Sequence, residues 1–174
     1  MNKKILLIFT TTVLLACNFL LHPKGTTTEP ASQPSDSQNF SSAGFSIIRL
    51  HPATGDLQTM LAGEVQKAKA LGQLPVVEFD ATWCPPCQAI DAAIESKNEL
   101  MLNAYKGTYI IKLDVDEWGW KNGKVQSFSF DAIPIYFKLD SEGQQTGQVI
   151  DGGAWGEDIP KNIAPVMDEF FHGG

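Results

Sequence analysis

Cysteine and histidine are both scarce in this sequence, which limits the metal sites that the protein can form. Among 174 residues there are three cysteines and three histidines. Only Cys84 and Cys87 are close together in the chain, whereas His22, His51 and His172 are single and far apart. A zinc site would need a second pair of ligands, which the sequence lacks. We therefore predict neither a metal site nor a bound cofactor.

Positive charge is also scarce. The 13 Lys and Arg residues are outnumbered by 20 Asp and Glu residues, which gives a formal net charge of −7. A chain with this balance repels the phosphate backbone, so we exclude nucleic-acid binding as its function. The sequence has no internal repeat, and its longest apolar run lies at the N-terminus.

That N-terminal run predicts export from the cytoplasm. Lys3 and Lys4 precede an apolar stretch over residues 5–16, as in a signal peptide. The sequence Leu-Leu-Ala-Cys that ends at Cys17 resembles the processing box of bacterial lipoproteins, although Leu15 stands where a small residue is usual. We therefore predict that residues 1–17 are a lipoprotein signal peptide or membrane anchor, with Cys17 as the lipidation site. An uncleaved span over residues 5–21 and ordinary secretion remain alternatives.

The next segment separates this leader from the folded part of the chain. Residues 18–44 include a stretch rich in Thr, Ser, Pro, Gln and Asn, a composition typical of flexible linkers. Residues 45–174 are enough for one domain. We predict a domain in the cell envelope that faces the periplasm and is held to the membrane by its N-terminus.

The most informative motif is Trp83-Cys84-Pro85-Pro86-Cys87. An apolar strand is predicted before it, at Leu74–Asp80, and a helix after it, over residues 86–104. This places Cys84 at the helix N-terminus, where we expect it to be exposed, and Cys87 in the first turn, partly covered. The partial positive charge of the helix start stabilises a thiolate at the first position.

Two other interpretations of the pair are less favoured. A structural disulfide that closes so short a loop stabilises a fold only slightly, because the entropic gain grows with loop length. A pair of inert buried thiols would not be expected to be flanked by two prolines and by a tryptophan of the kind found at protein surfaces. The pair is therefore predicted to be redox-active, with Cys84 exchanging with other sulfurs and Cys87 resolving the mixed disulfide.

Four motifs in order connect the chain to a known family. The stretch from Val77 to Cys87 resembles the active site of the thioredoxin superfamily, and residues 112–116 resemble its third strand. Ile133-Pro134 is similar to the family's cis-proline, and Gly152-Gly153-Ala154 to the glycine turn beside its substrate groove. The resemblance covers about residues 45–170. It implies an α/β thioredoxin fold, in which helices flank a central mixed sheet.

The periodicity of the rest of the domain agrees with that order of elements. Residues 56–71 are predicted to form a helix whose apolar face is core. The other predicted elements are an edge strand at 45–50, a strand at 108–115, a short helix within 119–130, a hairpin of 135–139 with 146–151, and a helix at 157–171.

The resemblance also implies roles for a carboxylate and a lysine. Glu78 lies six residues before Cys84, where thioredoxins carry a buried acid, and Lys112 lies where they have the lysine that pairs with it. Burial raises the pKa of a carboxyl group. Glu78 is therefore predicted to take the proton from Cys87.

The same resemblance implies a surface for extended peptides and a function. The predicted substrate-binding residues are Trp83, Pro85, Pro86, Ile133, Pro134 and Gly153. The expected activity is thiol–disulfide exchange outside the cytoplasm, by which the pair reduces or exchanges disulfides of partner proteins. Partners would be disulfide or thiol proteins and a donor of reducing equivalents, such as a membrane protein. The alternative is a tethered peptide-binding module with incidental redox activity.

Overall fold

A computed structural model describes residues 37–40 and 44–173. The predicted leader 1–17, with Cys17, and most of the predicted linker lie outside the described residues. No helix in the described part is long and apolar enough to cross a membrane. The helices and strands, in chain order, are β1 (Ser37–Phe40), β2 (Phe45–Arg49), α1 (Leu57–Ala70), β3 (Leu74–Asp80), α2 (Pro85–Glu95), α3 (Glu99–Tyr105), β4 (Thr108–Asp114), β5 (Lys124–Val125), β6 (Phe128–Ser129), β7 (Ile135–Leu139), β8 (Gln145–Asp151) and α4 (Pro160–His172).

The larger sheet in the described part of the chain is mixed, as predicted. Its strand order is β1-β2-β4-β3-β7-β8. Strands β2, β4 and β3 are parallel, whereas β1, β7 and β8 pair antiparallel. Buried side chains of α1 cover one face, and those of α2, α3 and α4 cover the other. This arrangement places the carboxyl end of β3, which leads into the cysteine motif, in the middle of the sheet.

The sheet begins within the segment predicted to be a linker. β1 pairs with β2 from Ser37 opposite Ile48 to Phe40 opposite Phe45. The prediction that residues 45–50 form an edge strand is therefore wrong, because β1 covers the outer side of β2. Composition gave no indication of β1, since its short sequence, SQNF, contains one large apolar residue.

The helix predicted over residues 86–104 is two helices. Lys97 has a left-handed backbone with φ of 59°. The side chain of Asn98 then accepts hydrogen bonds from the backbone N–H groups of Leu100 (3.1 Å) and Met101 (3.4 Å) and so caps α3. The predicted apolar stripe nevertheless continues from α2 into α3. Its members are all buried, namely Ile90, Ala93, Ile94, Met101 and Ala104.

The helix predicted within residues 119–130 is a hairpin instead. β5 and β6 form a two-stranded sheet, with Lys124 opposite Ser129 and Val125 opposite Phe128. Gly119, Asn122, Gly123 and Gln126 all have positive φ, a conformation that interrupts a right-handed helix. The hairpin buries Phe128 against Phe79, with ring centroids 5.1 Å apart.

The first and last helices are close to their predicted bounds. Asp56 caps α1, because its carboxylate accepts a hydrogen bond from the Thr59 N–H at 2.9 Å. α4 begins at Pro160 rather than at residue 157, since proline is favoured in the first helical turn.

Candidate active site

Cys84 and Cys87 are joined where β3 passes into α2. Cys84 is the N-cap of α2, and Pro85 and Pro86 occupy its first two positions, where a missing N–H costs nothing. The two Sγ atoms are bonded at 2.06 Å. The backbone N–H of Cys87 donates to Cys84 Sγ at 3.3 Å. A thiolate at Cys84 would accept the same hydrogen bond and would lie in the positive field of the helix start.

The predicted exposure of Cys84 is wrong for this disulfide form. Both cysteines are about 1% exposed and belong to one apolar cluster, against which Ile133 packs. The exposed member of the motif is Trp83, at 56%, and its indole N–H donates to Asp116 at 2.7 Å. Trp83 therefore stands beside the disulfide as an accessible apolar surface.

The predicted cis-proline is confirmed, since the Ile133–Pro134 peptide bond is cis. The Pro134 carbonyl accepts a hydrogen bond from the backbone N–H of Gly152 at 3.0 Å. A Cβ atom on Gly152 would lie 3.3 Å from Pro134 Cδ. The glycine that touches the cis-proline is therefore Gly152, and Gly153, which is predicted to bind substrate, donates its N–H to Asp151.

Glu78 is buried, as predicted, with 1% exposure. It is level with Lys112 on β4 and with Tyr136 on β7. Its Oε1 atom lies 3.5 Å from Lys112 Nζ but has no hydrogen-bond partner among the described residues. The ion pair implied by the resemblance is thus present, but at 3.5 Å it is the longest of the three that Lys112 makes with carboxylates.

Lys112 makes shorter contacts with two other carboxylates. Its Nζ lies 3.0 Å from Asp80 Oδ2 and 2.5 Å from Asp91 Oδ1. Asp80 also accepts two hydrogen bonds from the guanidinium of Arg49, at 2.8 and 2.6 Å. The acid–lysine pair is therefore part of a five-residue cluster: Arg49, Glu78, Asp80, Asp91 and Lys112.

Burial and charge give the two acids on β3 opposite proton affinities. Burial raises the pKa of Glu78 to about 7, although the Lys112 ammonium opposes this change. Burial alone would also raise the pKa of Asp80, but the hydrogen bonds from Arg49 and the charge of Lys112 outweigh it and hold that pKa below its ordinary value. Glu78 therefore changes charge near neutral pH while Asp80 stays ionised.

The cluster lies beneath the helix that carries Cys87. Cys87 and Asp91 are four residues apart on α2, so they share one side of the helix, about 6 Å apart along its axis. Asp91 contacts Lys112, which in turn lies beside Glu78. These contacts link the neutral-range acid Glu78 to α2 one helical turn beyond Cys87.

Sequence reasoning missed Arg49, Asp80 and Asp91. Two spacings contained a signal: Asp80 is two residues after Glu78 and so shares its side of the strand, and Asp91 is one helical turn after Cys87. Arg49 gave none, because its contact with Asp80 depends on the pairing of β2 with β4. No group of His, Cys, Asp or Glu suited to hold a metal ion is found in residues 37–40 and 44–173.

Comparison with known proteins gives one consistent family. The family model for thioredoxin matches residues 59–168. Thioredoxin H4 of Arabidopsis thaliana is 30% identical over 119 residues, which cover 67% of this chain and 87% of the relative. Thioredoxin-1 of Saccharomyces cerevisiae is 44% identical over 93 residues, 53% of this chain and 82% of the relative. A solved thioredoxin of Trichomonas vaginalis aligns with 71% of this chain and 96% of its own, at 23% identity and a TM-score of 0.46.

Proposed function

Because the chain belongs to the thioredoxin family and is a thiol–disulfide oxidoreductase, we propose that it reduces or exchanges disulfides of partner proteins outside the cytoplasm. The observation that carries the proposal is the bonded Cys84–Cys87 pair at the start of α2, with the Cys87 N–H on Cys84 Sγ. The same geometry in the dithiol form stabilises the Cys84 thiolate, which is the nucleophile of the exchange reaction.

The reaction proceeds in two exchanges. The Cys84 thiolate attacks one sulfur of the substrate disulfide, the substrate S–S bond breaks, and the other sulfur leaves as a thiolate that takes a proton. Glu78 then accepts the proton of the Cys87 thiol, and the Cys87 thiolate attacks Cys84 Sγ. The mixed disulfide breaks, the substrate leaves as a dithiol, and the protein holds its own disulfide. A dithiol donor returns two electrons and two protons.

The substrate surface in this proposal surrounds the disulfide. Trp83 is exposed beside it, and Ile133 packs against the cluster that contains both cysteines. An extended peptide would pair with the backbone of Ile133 before the cis-proline, with Pro85 at the exposed rim and Pro86 half-buried beside it. Gly152 leaves room beside Pro134 for this approach.

The location outside the cytoplasm is also a proposal, and it is supported by the leader sequence at residues 1–17. Ser37, at the start of β1, is opposite Ile48 near the carboxyl end of β2. Strand β3 runs parallel to β2, with β4 between them, and its carboxyl end leads to Cys84. Ser37 therefore lies toward the end of the sheet from which β3 leads to Cys84. We propose that an N-terminal anchor lets the disulfide act on partners close to the membrane.

Reduction of insulin by the full-length chain in detergent micelles, with dithiothreitol as donor, tests the proposal. We expect turnover with the wild type and none with Cys84→Ser. Cys87→Ser should instead accumulate covalent mixed disulfides with substrate. Peptide binding by the wild type without any disulfide reduction would favour the alternative, a tethered binding module.

A further inference from the structure

The five-residue cluster holds more acid than base. If every member were ionised, Glu78, Asp80 and Asp91 would place three negative charges against the two positive charges of Arg49 and Lys112. All five side chains are more than half buried, and those of Glu78, Asp80 and Lys112 are nearly inaccessible. Because an unbalanced buried charge is costly, one carboxylate is expected to carry a proton near neutral pH.

The distances from Lys112 show which carboxylate that is. Lys112 Nζ lies 2.5 Å from Asp91, 3.0 Å from Asp80 and 3.5 Å from Glu78. Asp80 has, in addition, both hydrogen bonds of the Arg49 guanidinium. Glu78 Oε1, in contrast, is left without a hydrogen-bond partner among the described residues. The Lys112 ammonium, which could stabilise ionised Glu78, is therefore held closer to Asp80 and Asp91.

The remaining groups that face Glu78 do not change charge near neutral pH. On β7, Tyr136 is level with Glu78, and a hydrogen bond from its hydroxyl opposes the rise of the Glu78 pKa less than the Lys112 ammonium does. The same hydroxyl lies 3.1 Å from the hydroxyl of Tyr105 on α3. Burial raises the pKa of both phenols well above its ordinary value. Among the described residues, the charged groups that act on Glu78 are those of the cluster, namely Asp80 on β3, Lys112 on β4 and Asp91 on α2, together with Arg49 on β2.

We infer that Asp80 and Asp91 are positioning residues, which hold the Lys112 ammonium away from Glu78 and so keep Glu78 as the proton acceptor for Cys87. The inference rests on the proposed function, because it concerns the second exchange. Arg49 keeps Asp80 ionised and oriented for this task. If Lys112 were free to move onto Glu78, the glutamate would remain a carboxylate but would be a weaker base toward the Cys87 thiol.

The direct test is titration of the Glu78 carboxyl carbon by NMR in the oxidised full-length chain in detergent micelles, where neither cysteine titrates. The Glu78 signal is assigned by its loss in Glu78→Gln. In Asp80→Asn we expect the Glu78 midpoint to fall by about one pH unit or more, because a charge at ion-pair distance shifts a carboxyl pKa by about 1 to 3 units. An unchanged or raised midpoint would overturn the inference.

A second variant covers the possibility that Asp80→Asn fails to fold, since it leaves Arg49 with a neutral partner. The side chain of Asp91 is 41% exposed, so Asp91→Asn puts folding at little risk. We expect a shift in the same direction but smaller, because solvent screens this charge. Glu95→Gln, one turn further along α2, is the matched control and should leave the Glu78 midpoint unchanged. Equal midpoints in Asp91→Asn and Glu95→Gln would also overturn the inference.

A kinetic measurement separates this inference from the proposed function. A mixed disulfide of Cys84 with thionitrobenzoate releases the coloured thiol when Cys87 attacks. The pH profile of that release should move to lower pH in Asp80→Asn, together with the NMR midpoint. The two proposals can fail separately. If the wild-type chain reduces no protein disulfide but Asp80→Asn still lowers the Glu78 midpoint, the proposed function is overturned, whereas the effect of Asp80 on the Glu78 pKa is confirmed. A midpoint that moves without any change in the release profile would refute the positioning role.

Discussion

Glu78 and Lys112 lie side by side on adjacent parallel strands, yet the lysine ammonium is closer to Asp80 and Asp91 than to Glu78. The strand register, which places Glu78 opposite Lys112, would by itself predict a close ion pair between them. The additional carboxylates compete for the lysine, and burial then raises the pKa of Glu78 to about 7. Near neutral pH, Glu78 can therefore be either ionised or protonated. A group that accepts the proton of a thiol needs a pKa in this range.

The position of Cys84 predicts that it is the more reactive thiol in the reduced protein. Its sulfur lies at the start of α2 and accepts the Cys87 N–H, so its thiolate is stabilised, whereas Cys87 lies inside the first turn. We expect iodoacetamide at pH 7 to modify Cys84 at least about tenfold faster than Cys87. Mass spectrometry of time points gives both rates. Equal rates would contradict a role for the helix start.

Local sequence signals predicted the elements that hold the site, and they missed the contacts between distant elements. The bounds of β3 and the start of α1 after Asp56 each have a cause within a few residues, whereas the cis bond before Pro134 was implied by the family resemblance. The contact of Arg49 with Asp80 depends on which strands are neighbours. Nothing near Arg49 in the sequence specifies that order, so the cluster could be only partly foreseen.

Two elements were missed although their signals are local. Asn98 is a favourable helix cap, but the apolar stripe continues through it and favoured one long helix. In the hairpin of β5 and β6, Gly119 and Gly123 are obvious breakers, whereas the positive φ of Gln126 is not expected from its residue type. The apolar spacing dominated both predictions because it extends over more residues than a cap or a turn.

Replacement of Glu78 by glutamine tests its chemical role. The amide keeps the shape of the side chain but cannot accept a proton, so the first exchange should be unaffected and the second should slow by about 10²-fold or more at pH 7. Stopped-flow measurement of mixed-disulfide formation and decay separates the two steps.

The control for that variant is Glu64→Gln. Glu64 is also a buried glutamate, but it lies on α1 and contacts Tyr109 and Lys67. We expect normal rates for both exchanges. If Glu64→Gln slows the second exchange as much as Glu78→Gln does, the effect reflects lost stability rather than lost proton transfer.

The raised pKa of Glu78 also predicts how stability depends on pH. In the unfolded chain this group titrates near its ordinary value of about 4.5, and in the folded protein near 7. Between these values the folded state binds more protons than the unfolded state, so the contribution of Glu78 to the free energy of unfolding falls as pH rises. Urea unfolding of the oxidised wild type and of Glu78→Gln should therefore diverge over this range, with the variant gaining relative stability at the upper end. A difference that is constant from pH 4.5 to 7 would contradict the buried, neutral-range acid.

Gly152 provides a test of packing around the cis-proline. In Gly152→Ala the new Cβ would lie 3.3 Å from Pro134 Cδ, so one of the two segments must move. We expect a loss of about 1 to 3 kcal/mol in the free energy of unfolding and weaker peptide binding. Gly63→Ala is the matched control, because its Cβ on α1 meets nothing within 4 Å. That variant should be more stable by about 0.5 to 1 kcal/mol, since alanine is favoured over glycine inside a helix.

The proposed anchor is tested at Cys17, which the sequence places at the end of the apolar leader. If Cys17 is lipidated, a fatty-acid label should mark the wild-type chain and should be absent from Cys17→Ala. Two or more acyl chains give stable membrane attachment, whereas one alone is marginal. The wild type should therefore stay in the membrane pellet after an alkaline wash. Cys84→Ala is the control for labelling, because it removes a cysteine of the domain and should leave the label in place. An unlabelled wild type that still pellets with the membrane would favour the uncleaved apolar span, and an unlabelled, freely released wild type would favour ordinary secretion.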